Sequence, residues 1–166
     1  MINIENLSNE TKNAYLACAI DSEGCISIRK NSHGERFRLS GTIGISNTSL
    51  DFLSVLASMS GQPFNLSKNG RVGVKKSNGI ISRKQAYQVT WRSPRHIIPI
   101  LEKIIPYLVI KKDRALALQE FILSRMSHEN MRGVKGVYTE KELQLCDMVT
   151  IMNGKSKKFV SGDTTA

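Results

Sequence analysis

The sequence is poor in cysteine, and what it has is scattered: Cys18, Cys25 and Cys146 are the only three in 166 residues. An odd number at such spacings builds no disulfide framework, and neither a CxxC pair nor a Cys/His set with zinc-ligand spacing occurs. Histidine is equally sparse. His33, His96 and His128 stand alone and read as surface or loop residues. Long apolar runs are missing too: the greasiest stretch, HIIPILEKIIPYLVI, is interrupted by Pro99, Glu102, Lys103 and Pro106 and is too short and broken to span a bilayer. The opening MINIENLSNETKN lacks the basic and apolar regions of a secretory signal. These absences predict a soluble protein of a reducing, intracellular compartment, organellar if the gene is, with no membrane partner.

Acidic residues are the last shortage. There are 14 Asp plus Glu against 24 Lys plus Arg, a formal net charge of +10. An excess of this size points to a polyanion, nucleic acid first and an anionic membrane surface second; a basic surface with no dedicated partner is also compatible with charge alone. What is present is ordinary for a folded chain. Hydrophobic content is 40% and charged content 23%, which argues against global disorder, and the length suits one domain with a sizeable core.

Ser8 or Asn9 can cap a first helix running to about Ser22, with Gly24 as its C′ stop. Leu16, Ala19, Ile20 and Glu23 share one side of it, and Ala14, Ala17, Cys18 and Asp21 form a narrow face of small residues. The pattern then changes to period two. Cys25 to Asn31 sets Ile26 and Ile28 against Ser27, Arg29 and Asn31; Arg36 to Asn47 sets Phe37, Leu39, Ile43 and Ile45 against Arg36, Arg38, Ser40, Thr42 and Ser46. This is a hairpin with one apolar and one basic, polar face. Ser49 opens a second helix with a Leu50, Leu53, Leu56, Met59 stripe. Asn69-Gly70 and Asn78-Gly79 are turn signals that blur the next hairpin, whose return strand lies within Ile81 to Arg92, with Tyr87, Val89 and Trp91 inward and Ala86, Gln88, Thr90 and Arg92 outward. Ser93-Pro94 starts a third helix through about Ile105. A longer helix spans roughly Lys112 to Ser127, and Thr139 with Glu142 forms a capping box for a last one to about Met152. The order helix, hairpin, helix, hairpin, helix, helix is an α+β arrangement. Residues 1–130 are expected to form the core, and 131–166 a further helix and a flexible basic tail of the same domain.

The stretch LACAIDSEG, Leu16 to Gly24, ends its helix on two carboxylates, where the macrodipole favours cations. A solvated helix-end Glu23 is the plain reading. The alternative follows from the small-residue face. If it packs against the same face of a second copy, a two-fold axis brings two Glu23 side chains together. Like charges that close repel unless neutralised, and hard divalent cations bind carboxylate oxygens. Such cations beside a phosphate make a phosphodiester-cleaving arrangement. The small face could equally pack inside the monomer.

LACAIDSEG resembles the signature of the LAGLIDADG homing endonucleases through Leu16, Ala17, Ile20, Asp21 and Gly24, with Glu23 at the second acidic position; Cys18, Ala19 and Ser22 depart from it. The hairpin, helix and hairpin that follow, and the run IIPYLVIKK, extend the likeness over roughly Tyr15 to Leu123. The resemblance implies an αββαββα fold with a curved antiparallel DNA-binding sheet, to which the C-terminal helices are additions. It implies a homodimer of the single-motif type, with Ala14, Ala17, Cys18 and Asp21 at the interface. Glu23, with the Ser22 carbonyl, would bind Mg²⁺. Lys111 would act near the scissile phosphate and Asn47 would position solvent. The first acid, Asp21, would organise the helix end rather than hold metal. Lys111 read alone is the solvated start of the next helix, and Asn47 a turn residue. Asp51 stands where some relatives carry a basic residue, and no catalytic role is carried over to it.

An antiparallel ribbon can present alternate side chains to base edges in the major groove of double-stranded DNA. On the polar faces Arg29 and Arg38 are the candidates for guanine, with Ser27, Asn31, Ser40, Thr42, Gln88 and Thr90 adding weaker contacts. Arg36, Lys30, Lys68, Lys75 and Lys84 are candidates for phosphate. The functional expectation is a Mg²⁺-dependent, sequence-specific DNA endonuclease that makes double-strand breaks at a long pseudo-palindromic site and so promotes intron homing. The alternatives are an intron maturase, whose partner is intron RNA, and a DNA-binding protein of the same fold without cleavage.

Overall fold

The structure, a computed structural model, describes residues 4–33, 36–70, 72–74, 81, 83–127 and 138–154, with the side chains of 4, 32, 33 and 36 left out. Its elements are α1 (Asn9–Glu23), β1 (Gly24–His33), β2 (Arg36–Asn47), α2 (Leu50–Ser60), β3 (Asn65–Asn69), β4 (Ala86–Trp91), α3 (Pro94–Ile104), α4 (Lys112–Ser127) and α5 (Glu140–Met152). Short 3-10 turns at Ile4–Asn6 and Ile105–Tyr107 complete them. The fold is α+β.

Local chemistry sets most of the boundaries. The Ser8 side chain accepts the Thr11 N–H at the start of α1, and Ser49 accepts that of Phe52 at the start of α2. Gly61, at φ 64°, ends α2 in the left-handed region that glycine enters without steric cost. Thr139 and Glu142 close a reciprocal capping box on α5. Ser93 stands at the start of α3 but its side chain makes no capping bond, so Pro94 alone marks that start. Gly24 does not end α1 as a left-handed stop. Its backbone is extended, at φ −86° and ψ 166°, and already belongs to β1. Glycine is required there for space: a Cβ would stand 2.7 Å from the Cα and from the carbonyl oxygen of Ile20. The chain thus turns from helix to strand within one residue.

The four strands form one antiparallel sheet in the order β1-β2-β4-β3. Ile26, Ile28, Leu39, Ile43, Ile45, Val89 and Trp91 face one way and are buried. Helices α1 to α4 pack on that face, contributing Leu16, Ile20, Leu53, Leu56, Ile97, Ile100, Leu101, Leu118 and Phe121. Fully burying one such side chain is worth about 1.5–3 kcal/mol, so this layer supplies the main driving force. Leu50 departs from the expected stripe; it sits at the very start of α2 and is exposed, while Ala57 joins the core instead. The return strand is shorter than its sequence alternation, because the chain leaves the sheet after Trp91 and Arg92 lies outside it.

The free edge of β1 is covered by α5. Asn153 Nδ2 donates to the Ile26 carbonyl at 3.0 Å and Cys146 Sγ to that of Ile28 at 3.7 Å. Arg114 holds the other end of the Asn153 amide at 3.1 Å. A covered edge offers no template for pairing with another chain. Glu142, 1% exposed, ties α5 to α4 by accepting from Ser124 at 3.0 Å and pairing with Arg125 at 3.5 Å. No helix among the described residues is long and apolar enough to cross a membrane.

Candidate functional site

At the end of α1, Glu23 is exposed and Asp21 is half-buried. The two acids do different things. Asp21 Oδ2 accepts the N–H groups of Val109 at 2.7 Å and Ile110 at 3.2 Å, and Oδ1 accepts that of Lys111 at 2.9 Å. In return, Lys111 Nζ donates to the main-chain carbonyls of Ile20 at 2.8 Å, Asp21 at 2.6 Å and Gly24 at 2.9 Å. An ammonium has three protons, and all three are engaged. The result is a reciprocal clamp between the last turn of α1 and the segment 109–111. It places a cation where the helix macrodipole needs one.

Titration follows the same geometry. Burial pushes the Asp21 carboxyl up, but the three N–H donors and the Lys111 charge outweigh it, leaving its pKa below the ordinary 3.8. Burial pulls the Lys111 ammonium below its usual 10.5, with the Asp21 charge working against the shift.

The resemblance implied a role for Lys111 near the scissile phosphate; in this structure Lys111 turns its ammonium to the main-chain carbonyls of the helix end. It is only 9% exposed, and the helix-end carbonyls occupy it. It is not a solvated helix start either. Asn47 stands at the same end of the sheet as Glu23, two residues beyond the Ile45 that pairs with Gly24. Its Oδ1 accepts the Ser49 N–H at 2.9 Å, which is the local work of a helix-entry turn.

The expected dimer face needs correction. Of the four residues expected there, Ala17 is fully buried within the monomer and Asp21 is engaged by residues 109–111, while Cys18 is exposed and Ala14 half-buried. The open surface of α1 runs instead through Thr11, Tyr15, Cys18 and Ser22, with Ala14 half-buried beside it. Val109 and Ile110, next to the clamp, are 84% and 71% exposed and extend this surface with apolar area.

The polar sheet face is more closely packed than alternation predicts. Arg29, Asn31 and Arg38 are exposed, and Ser40 and Gln88 half-buried. Ser27, Thr42 and Thr90 are buried at 8%, 6% and 3% exposure. Gly44 explains Thr90: with no side chain there, Gln88 and Thr90 lean over it, so that an added Cβ would meet Gln88 Nε2 at 3.2 Å and Thr90 Cγ2 at 3.3 Å. Ser27 pairs in register with Thr42, and its Oγ has no hydrogen-bond partner among the described residues. Asn31 Nδ2 donates to Ser40 Oγ at 3.0 Å, so two of the candidate base contacts already orient one another. Lys30 lies on the other face, its ammonium 4.1 Å above the Phe37 ring. Lys68 and Lys84 are exposed; Lys75 and the side chain of Arg36 lie outside the described residues.

A hard cation needs oxygen donors. The exposed Glu23 carboxylate and the Ser22 carbonyl are of that kind, and neither residue contributes a carbonyl to Lys111. The Ser22 hydroxyl is turned back to the Cys18 and Ala19 carbonyls at 3.0 and 3.3 Å. Among the described residues, no cluster of three or more His, Cys, Asp or Glu side chains could hold a metal. The end of α1 thus offers one open carboxylate, an incomplete shell suited in donor type to Mg²⁺ or Ca²⁺ and leaving room for oxygens from elsewhere.

No family model and no curated protein matches the chain. Solved structures do. The homing endonuclease I-CvuI, in complex with its target in the presence of calcium, superposes with a TM-score of 0.65 at 17% identity, covering 90% of this chain and 86% of that one. An archaeal intron-encoded homing endonuclease complexed with DNA gives 0.64 at 13% identity over 91% and 87%. The LAGLIDADG homing endonuclease I-GzeII, in complex with a DNA target, gives 0.56 at 16% identity; 84% of this chain covers 43% of that longer one. At these identities the likeness establishes architecture: this chain has the fold of the LAGLIDADG homing endonucleases. It resembles the single-unit members over nearly their whole length and the longer I-GzeII over one half.

Proposed function

We propose that the protein is a sequence-specific DNA endonuclease that acts as a homodimer, cuts both strands of a long pseudo-palindromic site with Mg²⁺, and thereby promotes intron mobility. The observation that carries this reading is the exposed Glu23 carboxylate at a helix end clamped by Asp21 and Lys111, beside a polar, arginine-bearing sheet face in a chain of net charge +10.

Glu23 and the Ser22 carbonyl hold the metal, which when bound supplies positive charge for phosphodiester hydrolysis. Asp21 and Lys111 keep the helix end from fraying, so that the main chain carrying Glu23 is in place before DNA arrives. Asn47 orders the entry to α2 at the same end of the sheet. Arg29, Asn31, Ser40 and Gln88 face the bases, with Ser27, Thr42 and Thr90 beneath them setting the shape of the surface. Lys68 and Lys84, with Lys75 and Arg36, contribute to phosphate attraction. The second copy docks on the Tyr15, Cys18 and Ser22 side of α1, covers Val109 and Ile110, and brings the second Glu23 to the other strand.

Duplex DNA from an intronless copy of the host gene tests the proposal. Double-strand cleavage at one site with Mg²⁺, and none with EDTA, supports it. Specific binding without cleavage in Mg²⁺ would leave a DNA-binding protein, and stimulation of intron splicing without DNA cleavage would make the protein a maturase.

A further inference from the structure

A second basic feature lies where β2 outruns its neighbour. β4 pairs with β2 only from Ile43 to Asn47, so among the described residues the stretch from Arg36 to Thr42 has β1 on one side and no strand on the other. A cleft of about 180 Å³ occupies that open side, lined by Arg38, Gly41, Arg92, Pro94, Arg125 and Tyr138 among others. Among the described residues, none that lines it is acidic. Its donors come from several elements. Arg38 and Arg92 are exposed. Arg125 is held in place, Nη1 3.5 Å from Glu142 and its guanidinium 4.7 Å above the Tyr138 ring, which itself stacks on Phe37 at 5.4 Å. The Leu39 N–H points away from β1 and donates to Tyr138 Oη at 2.8 Å. Antiparallel alternation turns the Gly41 N–H the same way, toward the cleft. Pro94 brings the positive end of α3, whose first turn no Ser93 side chain caps.

Three guanidinium groups, a strand edge and a helix start converging on a space of this size, with no carboxylate among the described lining residues, suit a tetrahedral oxyanion rather than a flat base edge. We propose that the cleft binds one phosphodiester of the nucleic-acid backbone, gripped by Arg38 and Arg92, with Arg125, its charge shared with Glu142, as a fixed donor at the wall. This rests on the DNA-binding reading above and deepens it. Arg38 becomes a backbone clamp rather than a reader of guanine, and the end of β2 beyond β4 becomes a point that sets the register of the duplex on the sheet.

The test uses the full chain and random-sequence duplex DNA, with affinity followed by fluorescence anisotropy from about 50 to 200 mM KCl. Arg38→Gln and Arg92→Gln should each weaken binding and flatten the salt dependence. Because both grip one phosphate, the double variant should flatten the log–log slope by about 0.9 in total, whereas two separate phosphates would give about 1.8. Arg92→Lys should keep most of the slope. Base preference selected from a randomised duplex library should be unchanged in Arg38→Gln. Unchanged slopes, an additive double variant, or relaxed preference at one base position would each overturn the cleft while leaving DNA binding intact. Failure of the unmodified protein to bind duplex DNA would overturn the cleft and the DNA reading together.

Discussion

Replacing Lys111 by Met keeps the aliphatic stem and removes the ammonium, so no cavity opens and the loss is polar. Three main-chain carbonyls, those of Ile20, Asp21 and Gly24, lose a charged donor at 2.6–2.9 Å. Hydrogen bonds to charged groups contribute about 1.5–3 kcal/mol each, but these three share one donor, and two of the carbonyls are only partly buried and regain water. The Ile20 carbonyl also keeps the Gly24 N–H. The expected loss is therefore about 3 kcal/mol rather than the threefold sum. For a domain of this length that lowers Tm by roughly 6–12 °C. Urea titration and thermal melting by circular dichroism measure it directly, on the protein without DNA or metal. A Lys111→Met protein within about 0.5 kcal/mol of the original, yet unable to cut DNA, would refute the reasoning: the ammonium would then act on the phosphate and not on the helix end.

Asp21 gives a pH test. Its carboxyl is depressed below 3.8 in the folded state, so its stabilising contribution is present above the unfolded value and disappears as pH falls through the folded one. Asp21→Asn should lower stability at neutral pH and flatten the acid limb of the curve; an unchanged acid limb would show that the three N–H donors do not hold the charge. Gly24→Ala should cost about 1–3 kcal/mol, because the added carbon strikes the Ile20 backbone, which cannot move aside as a side chain end would; a neutral result by denaturation would contradict the tight turn. With Cys25 changed to Ser, a short thiol cross-linker should join two copies through exposed Cys18, since Cys146 is buried. A product that stays monomeric on denaturing gels would remove the helix pairing.

Where sequence and structure agree, the cues are local. Helix α5 is legible from the Thr139–Glu142 box, and β1 and β2 from period-two alternation, because each depends on neighbours within a few residues. The small-residue face of α1 is only partly legible: Cys18 and Ala14 stay on the open side, but small size allows close packing against any partner, and Ala17 meets its partner inside the monomer. Thr90 reads as exposed by parity, yet it is buried because Gly44 on another strand leaves room for it. The Asp21–Lys111 clamp links positions ninety apart, and no periodicity carries that information; the only trace is a pair of acids at a helix end that calls for a cation from elsewhere. The arginine cleft escapes for the same reason, since Arg38, Arg92 and Arg125 lie on three separate stretches of the chain. Asn153, which closes the β1 edge, looks in sequence like an ordinary helix end.

Glu23 is where the proposed chemistry and the fold meet, and changing it to Gln removes the charge while keeping the shape. Cleavage of the intronless duplex in Mg²⁺ and binding of the same duplex in Ca²⁺, measured side by side for the original protein and Glu23→Gln, separate catalysis from recognition. The expected result is loss of cleavage with affinity kept within about threefold, less than 1 kcal/mol. Cleavage at an undiminished rate by Glu23→Gln would contradict the assignment of the exposed helix-end carboxylate as the metal-binding group.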